Sequence, residues 1–576
     1  MRISSITKNA GKACNNRLYR HIRTFEKIVK NYFVIYIKNA DNVKIKSEEN
    51  TYNCIVDARA EADDNPDNSS SENGNAAIYA ACDLKLVGKG ALSVTGNYNN
   101  GIQSKDDISI KNVTIKVNAV NNAIKGNDEA AIESGEIIAI SRKGDGIKTS
   151  NSSLSNKGNQ KGNVIISGGN IDIYAACDGI DAAYGVDVSG DGNLNIYTDT
   201  YSDYSEAVAA DNSGSSANSV GNPPDMNNSS SNSGNNPDMK GNFGGRNSAA
   251  NGMPGNNSSG NSSKKSYSTK GIKADSEINI SGTAINISST DDGIHANSDS
   301  GVLETGEDGK GIISISGGTI TISTGDDGIH ADKELNITDG YINVLTSYEG
   351  LEAITINISG GQSFVYAADD GINACTGDGT STPLINITGG YVDVTTGSGD
   401  TDGIDSNGSY TQSGGMVLVK GGSSSGQVSG SIDVDGNITI TGGTCVALGG
   451  ICETPVNSVN AYVFSSVSFN AGSYSVKDSS GNEIISFTLN NSYSNGWICT
   501  SALTTNTEYT LYCDGSSLTN WTQSAGTMGA SNAGGFGSNP GGFNGGGRGG
   551  NMNGGRNMND NRNINGNNTP NNSNVQ

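Results

Sequence analysis

Ten short copies of one pattern run along this chain, each an apolar residue, nearly always Ile, placed after Gly or Ala and followed two residues later by a small residue. In six of them an aspartate stands directly before the Gly: Asp145, Asp178, Asp292, Asp327, Asp370 and Asp402. Asp291, Asp326 and Asp369 add a second acid just before, and Asp181 and Asp405 follow the central Ile. If the copies stack, these carboxylates form a row. Two carboxylates about 4.8 Å apart repel by roughly 1 kcal/mol in water and by about 3–4 kcal/mol at an effective dielectric of 20. A bound cation removes that repulsion. Ca2+ is the expected cofactor, because it takes 6–8 oxygen ligands in tolerant geometry. The competing reading is structural, since Asp and Asn cap backbone N–H groups in turns.

Two further residue types carry possible chemistry. His295 and His330 are equivalent residues of two DDGIHA copies. They read as stacked imidazoles facing solvent, with a metal pair as the alternative. Tyr341 and Tyr391 follow DG and GG turns in the same way, two coils apart, which places them about 10 Å apart on one face. That is a disaccharide-like pitch for stacking sugar rings. Trp497 and Trp521 are the only tryptophans, which is thin for a flat aromatic platform.

The elements that must position these residues follow from the spacing. The central residues are Ile102, Ile124, Ile147, Ile180, Ile272, Ile294, Ile329, Leu351, Ile372 and Ile404. Most intervals between them are 21–23 or 32–35 residues. Segments such as INISGTAINIS, ISISGGTITIS and INITGGYVDV lie between them, each with apolar residues at every second position around a Gly. Such alternation, rich in β-branched residues, marks short strands. Three strands per coil of about 22 residues predict a right-handed parallel β-helix, an all-β solenoid. One coil cannot bury its Ile and Val; the next coil, about 4.8 Å above, pairs the backbone and stacks like on like.

Composition agrees. Gly is 81 of 576 residues and hydrophobic residues are 33%, too few for an ordinary globular core but enough for a thin continuous one. The formal net charge of −23 disfavours nucleic acid as a partner and favours divalent cations or neutral sugars. Acidic polysaccharide requires a bridging cation. No run reaches the length of a membrane-spanning helix, and the chain is expected to be a monomer.

The expected organisation is a basic N-terminus (1–32), a first solenoid part (33–211), a low-complexity insert (212–268), a second solenoid part (269–457), a small antiparallel β cap (458–515) and a Gly/Asn-rich tail (523–576). Residues 1–32 hold eight basic residues and one acid, a break in charge that reads as a foreign or altered start. The insert and tail lack apolar periodicity and read as linkers. The nine Cys include no CxxC pair. They read as small buried side chains, with Cys445–Cys452 and Cys499–Cys513 as possible cross-turn bridges.

The segment IYAACDLKLVGKGALSVTGNYNNGIQSKDDISIKNVTIKVNAVNNAIKGND at 78–128, followed by GDGIKTSN, SYEGLEA and DDGINA, resembles a family of secreted carbohydrate-binding β-helix proteins. The resemblance covers about 33–515 apart from the insert. It implies a fold like that of calcium-dependent pectate lyases, calcium sites, plant cell-wall polysaccharide (cellulose or polygalacturonate) as the partner, and an extracellular or cell-surface location, although no secretion signal is visible. It also raises a rival activity. Lyases of this shape use Lys or Arg to take the C5 proton, and Lys148 and Lys273, two residues after the motif Gly, are the candidates. A base of that kind must have a lowered pKa. A cell-surface adhesin is the third possibility, in keeping with the Gly/Asn tail.

Overall fold

The computed structural model describes residues 3–7, 34–38, 40–61, 74–198, 268–376, 380–397, 401–421, 430–449, 455–456, 458–464 and 466–524. All of them belong to one compact unit; the other unit, Glu206–Tyr267, lies outside the described residues. So do the expected insert apart from Ser268, the tail beyond Ser524, and the basic start apart from one short strand, Ile3–Thr7, which pairs antiparallel with Asn42–Ser47.

Among the described residues every regular element is a strand. Thirty-eight of them join in one continuous stack, almost wholly parallel. The chain climbs through three faces in turn, as a parallel β-helix does. One rung runs Ile272–Ala274, Glu277–Ile280, Ala284–Ser288, and the next begins at Ile294–Ala296. Each strand pairs with its equivalent in the next rung, so Ile272 faces Ile294, Ile278 faces Ile313 and Ile285 faces Ile320.

The motif residues form the inner column of the first face. Ile35, Ile78, Ile102, Ile124, Ile147, Ile180, Ile272, Ile294, Ile329, Leu351, Ile372, Ile404 and Ile432 are register partners in unbroken order. All are buried. Ile180 pairs directly with Ile272, so the rungs on either side of residues 199–267 are neighbours. Alternate residues face outward, where amides stack as well: Asn286 donates to Asn195, and Asn195 to Asp172, each at 2.8 Å.

Glycine serves two separate purposes. Between the second and third strands it supplies left-handed backbone, as at Gly390 (φ 81°). In the motif it supplies space. A Cβ on Gly371 would lie 2.2 Å from Val394 Cγ1 and 2.6 Å from the Gly403 carbonyl oxygen of the next rung.

The far end is closed by antiparallel strands. Gly496–Thr500 pairs with both Thr444–Leu448, the last strand of the third face, and Ala461–Val463. A four-stranded sheet of Gly472–Asp478, Glu483–Leu489, Glu508–Cys513 and Ser516–Thr522 completes the cap. Its core, with Phe464, Phe469, Tyr474, Phe487 and Trp521, packs over Leu418, Val446 and Leu448 on the outside of the last rungs. An exposed sheet edge is thereby covered. Both tryptophans are buried, Trp497 in the main core and Trp521 in the cap, so neither can serve a sugar platform. The expected Cys499–Cys513 bridge does not form. Cys499 and Cys513 are free thiols, and Cys499 lies opposite Cys445 instead; Cys452 lies outside the described residues.

Candidate functional site

The turn aspartates share one habit. Oδ1 accepts the backbone N–H of the next rung: Asp145 from Asp178 at 3.1 Å, Asp292 from Asp327 at 3.2 Å, Asp327 from Glu349 at 3.2 Å, and Asp370 from Asp402 at 2.7 Å. Where Oδ2 makes a described contact, it turns toward the residue after the motif Ile. That residue repeats in register as a second, outer column: Lys125, Lys148, Asp181, Lys273, His295, His330, Glu352, Asn373, Asp405 and Asp433. The column changes character along the stack, from lysine through histidine to acids and amide.

In the first stretch the carboxylates already have counterions. Lys148 Nζ lies 2.8 Å from Asp145 Oδ2 and also contacts Asp181, while Lys273 approaches the other Asp181 oxygen at 3.9 Å. Burial would lower the Lys148 pKa, but Asp145 and Asp181 outweigh it and hold it well above the usual range. For Lys273 the Asp181 charge dominates, and its pKa is likewise raised. Asp181, despite burial, is pulled down to about 2 by Lys148 and Lys273. Asp178 rises to about 7 through burial and its acidic neighbours Asp181 and Asp145. Ammonium groups thus stand beside Asp145 and Asp181, whose carboxylate oxygens also converge with one of Asp178 to within 4.8 Å. Lys148 and Lys273 are favoured as cations, whereas a proton-abstracting base needs a lowered pKa.

At the next copies the same place is taken by Lys270 and the histidines. Lys270, which occupies the motif's Asp position, reaches Asp291 Oδ1 at 2.8 Å and Asp292 Oδ2 at 2.5 Å. His295 and His330 stack with centroids 4.4 Å apart at 11°. They do not simply face solvent. Carboxylates flank both edges: His295 lies against Asp292 (2.5 Å) and Asp332 (3.1 Å), and His330 against Asp327 (3.1 Å), Glu352 (3.2 Å) and Asp332 (3.5 Å). Asp326 stands at the rim, its pKa raised to about 6 by burial and by Asp327, Asp292 and Asp291.

The last stretch is different. Glu352, Asn373 and Asp405 are consecutive in the outer column. Glu349 and Asp370 stand at the motif's acid position beside them, with Asp369 just before Asp370 and Asp402 one rung on. Burial and the charges of Glu352 and Asp327 raise Glu349 to about 9. Burial and the charges of Asp370, Asp402, Asp433 and Asp435 raise Asp405 to about 8. Asn373 is 3% exposed. Its amide nitrogen donates to Glu349 at 2.7 Å, which fixes its orientation, and its Oδ1 has no hydrogen-bond partner. A buried acceptor without a donor is costly. Here it sits among carboxylates that resist ionisation. Glu349, Asp370, Asn373 and Asp405 thus bring oxygen donors only to neighbouring rungs, the donor type that a hard cation takes.

The third face carries an aromatic row over these same rungs. Tyr341 and Tyr391 are two rungs apart through Gln362. Phe364 bridges them, with ring centroids 5.4 Å from Tyr341 and 5.6 Å from Tyr391. Beside them Tyr341, Leu345, Tyr348 and Tyr366 are 40%, 49%, 50% and 44% exposed, a concentration of apolar surface on two adjoining rungs. Tyr348 joins this patch to the acidic corner. The Asp369 carboxylate beside its hydroxyl, burial and the nearby Glu349 and Asp370 charges raise its pKa.

Sequence reasoning missed Lys270, Asp332, Glu349, Glu352, Asn373 and Phe364. All of them but Asp332 and Phe364 occupy motif positions with a different residue type, and they emerge once the copies are compared column by column.

Comparisons with known proteins point to carbohydrate binding in general. The family described as carbohydrate-binding domain-containing protein matches residues 27–307 and 301–400, more than half of the chain. A protein of that description from Acetivibrio thermocellus is 40% identical over 85 residues, which cover 14% of this chain and 28% of the relative. No solved structure matches. The chain belongs to the carbohydrate-binding domain-containing protein family.

Proposed function

We propose that the third face binds polysaccharide over the Tyr341–Phe364–Tyr391 row, and that calcium held at Glu349, Asp370, Asn373 and Asp405 supports this binding at the adjoining corner. The observation that carries the reading is the aromatic row itself, with successive centroids 5.4 and 5.6 Å apart beside exposed Tyr348 and Tyr366. Aromatic rings offer large apolar faces at low entropic cost, with polar tips for hydrogen bonds. The CH faces of pyranose rings suit them, and the rung spacing sets a pitch of about 10 Å over two rungs.

Calcium has two effects in this reading. It neutralises carboxylates that otherwise repel, which orders the corner from which Tyr348 projects. It also supplies positive charge where the chain, at −23, would repel a uronate. Neutral cellulose then binds through the rings, and polygalacturonate through rings and cation together. The protein acts outside the cell or at its surface, where such polymers lie. The seating of Lys148 and Lys273 as ammonium groups supports binding without lyase chemistry.

Depletion assays on insoluble cellulose and on polygalacturonate gel, with calcium or with chelator, test the proposal. Retention on both polymers is expected, with chelator weakening the polygalacturonate arm more. The supernatant should contain no unsaturated product. Absence of retention on any glycan, or calcium-dependent release of unsaturated product, would overturn it.

A further inference from the structure

We propose that Asp327, His330 and Glu352 form a site for a zinc-class divalent metal ion, separate from the oxygen-only calcium set, with Asp332 as the carboxylate that orients the imidazole. Asp327 and His330 come from one rung, and Glu352 from the next. One ligating atom of each lies within 4.8 Å of the others.

The separations select this trio over its neighbour. Tetrahedral ligands about 2.0–2.1 Å from a zinc ion lie about 3.3 Å from one another. His330 Nδ1 is 3.1 Å from Asp327 Oδ2 and 3.2 Å from Glu352 Oε2. Asp292, His295 and His330 also converge, but Asp292 Oδ2 and His295 Nδ1 are 2.5 Å apart, a hydrogen-bond contact too short for two ligands of one ion.

The surrounding groups are those a metal-bound imidazole uses. A ligating histidine donates its other N–H to a carboxylate. The other nitrogen of His330, Nε2, lies 3.5 Å from Asp332 Oδ1, an oxygen shared with His295 Nε2 at 3.1 Å. The remaining Glu352 oxygen accepts the Cys375 thiol at 3.1 Å, and Asp327 Oδ1 is fixed by the Glu349 N–H. Asp327 is therefore held by a backbone N–H, which cannot ligate, and Glu352 by a thiol that itself stands next to the site as a further zinc-type donor. The imidazole nitrogen selects against calcium, a hard cation that takes oxygen, and for zinc and its neighbours. An ion here ties two rungs together at the point where the outer column passes from histidine to acid.

The test is Zn2+ binding to the full chain at neutral pH in excess Ca2+, by calorimetry, with Co2+ as a spectroscopic probe. One ion per chain is expected, with intense visible bands of a tetrahedral Co2+ site and a raised melting temperature. Glu352→Gln, close in shape, should abolish the bands while the circular dichroism is retained, and His330→Gln should do the same. Asp332→Asn should weaken binding about 10–100-fold. The chain has three His, so an unchanged Co2+ spectrum in His330→Gln would place the ion elsewhere and overturn the proposal. Absence of binding by the unaltered chain, or displacement by calcium, would also overturn it. Neither result bears on retention by glycan, so this site and the proposed function fail independently.

Discussion

Asp370 accepts the backbone N–H of Asp402, one rung on, at 2.7 Å through Oδ1. The same relationship links Asp292 to Asp327 and Asp327 to Glu349. Turn capping and counterion chemistry are thus not rivals on this wall. One carboxylate oxygen joins the rungs, and in the lysine and histidine stretches the other faces the outer column. What varies along the stack is the outer column, which is lysine-rich in the first rungs, histidine in the middle, and acid and amide in the last.

Stability should therefore fall with rising pH when calcium is absent. Glu349 and Asp405 have ordinary pKa values of 4.5 and 3.8, raised in the fold to about 9 and about 8. The folded state binds more protons than the unfolded chain between those limits, so unfolding free energy declines from about pH 4 to pH 8–9. Calcium binds the ionised form. Its stabilising effect should grow over the same range, which melting curves with and without chelator at pH 5 and pH 8 will show.

Replacing Asp405 with Asn should stabilise the chelated protein at pH 8, by on the order of 1–2 kcal/mol, because a half-buried charge among four others is removed. The same substitution should reduce the response to calcium. Denaturant titrations with and without chelator measure both effects.

Lys148→Ala should act in the opposite direction. It leaves Asp145 and Asp181 without the amine that joins them, and removal of one partner from a buried ionic set costs about 3–5 kcal/mol. Glycan retention by the remaining folded protein should be unchanged, since the aromatic row lies on another face and other rungs.

Gly371→Ala tests the spacing role of the motif glycine. The added methyl would meet the Val394 side chain and the Gly403 carbonyl at once, and the backbone on both sides is held by rung pairing. Destabilisation of about 3 kcal/mol or more is expected, against about 1 kcal/mol or less for Ala at an exposed helix-free position.

The solenoid was legible because its cause is periodic. Ile at intervals near 22 residues, with alternating strands between, has no stable arrangement except stacking. The inner column from Ile102 to Ile404 could be read in order from the sequence, including the passage from Ile180 to Ile272, whereas Ile35, Ile78 and Ile432 stand outside the ten copies of the motif. The site was less legible, because its chemistry depends on what stands one residue further out. Lys270 replaces an aspartate in the motif, and the two carboxylates that Lys148 joins come from different rungs. The Asn373 oxygen is informative only because it is buried and lacks a donor. Phe364 was hidden because it meets Tyr341 and Tyr391 diagonally across rungs. The last strand of the cap, Ser516–Thr522, falls just where the low-complexity tail begins to dominate composition.

The most direct measurement is glycan retention by a variant carrying Tyr341→Ala, Phe364→Ala and Tyr391→Ala together. These side chains lie on the outside of the third face, so the fold should survive with only a small change in melting temperature. The expected result is a loss of affinity for cellulose of at least tenfold at unchanged circular dichroism. Undiminished retention by the folded triple variant would contradict the assignment of this face as the binding surface.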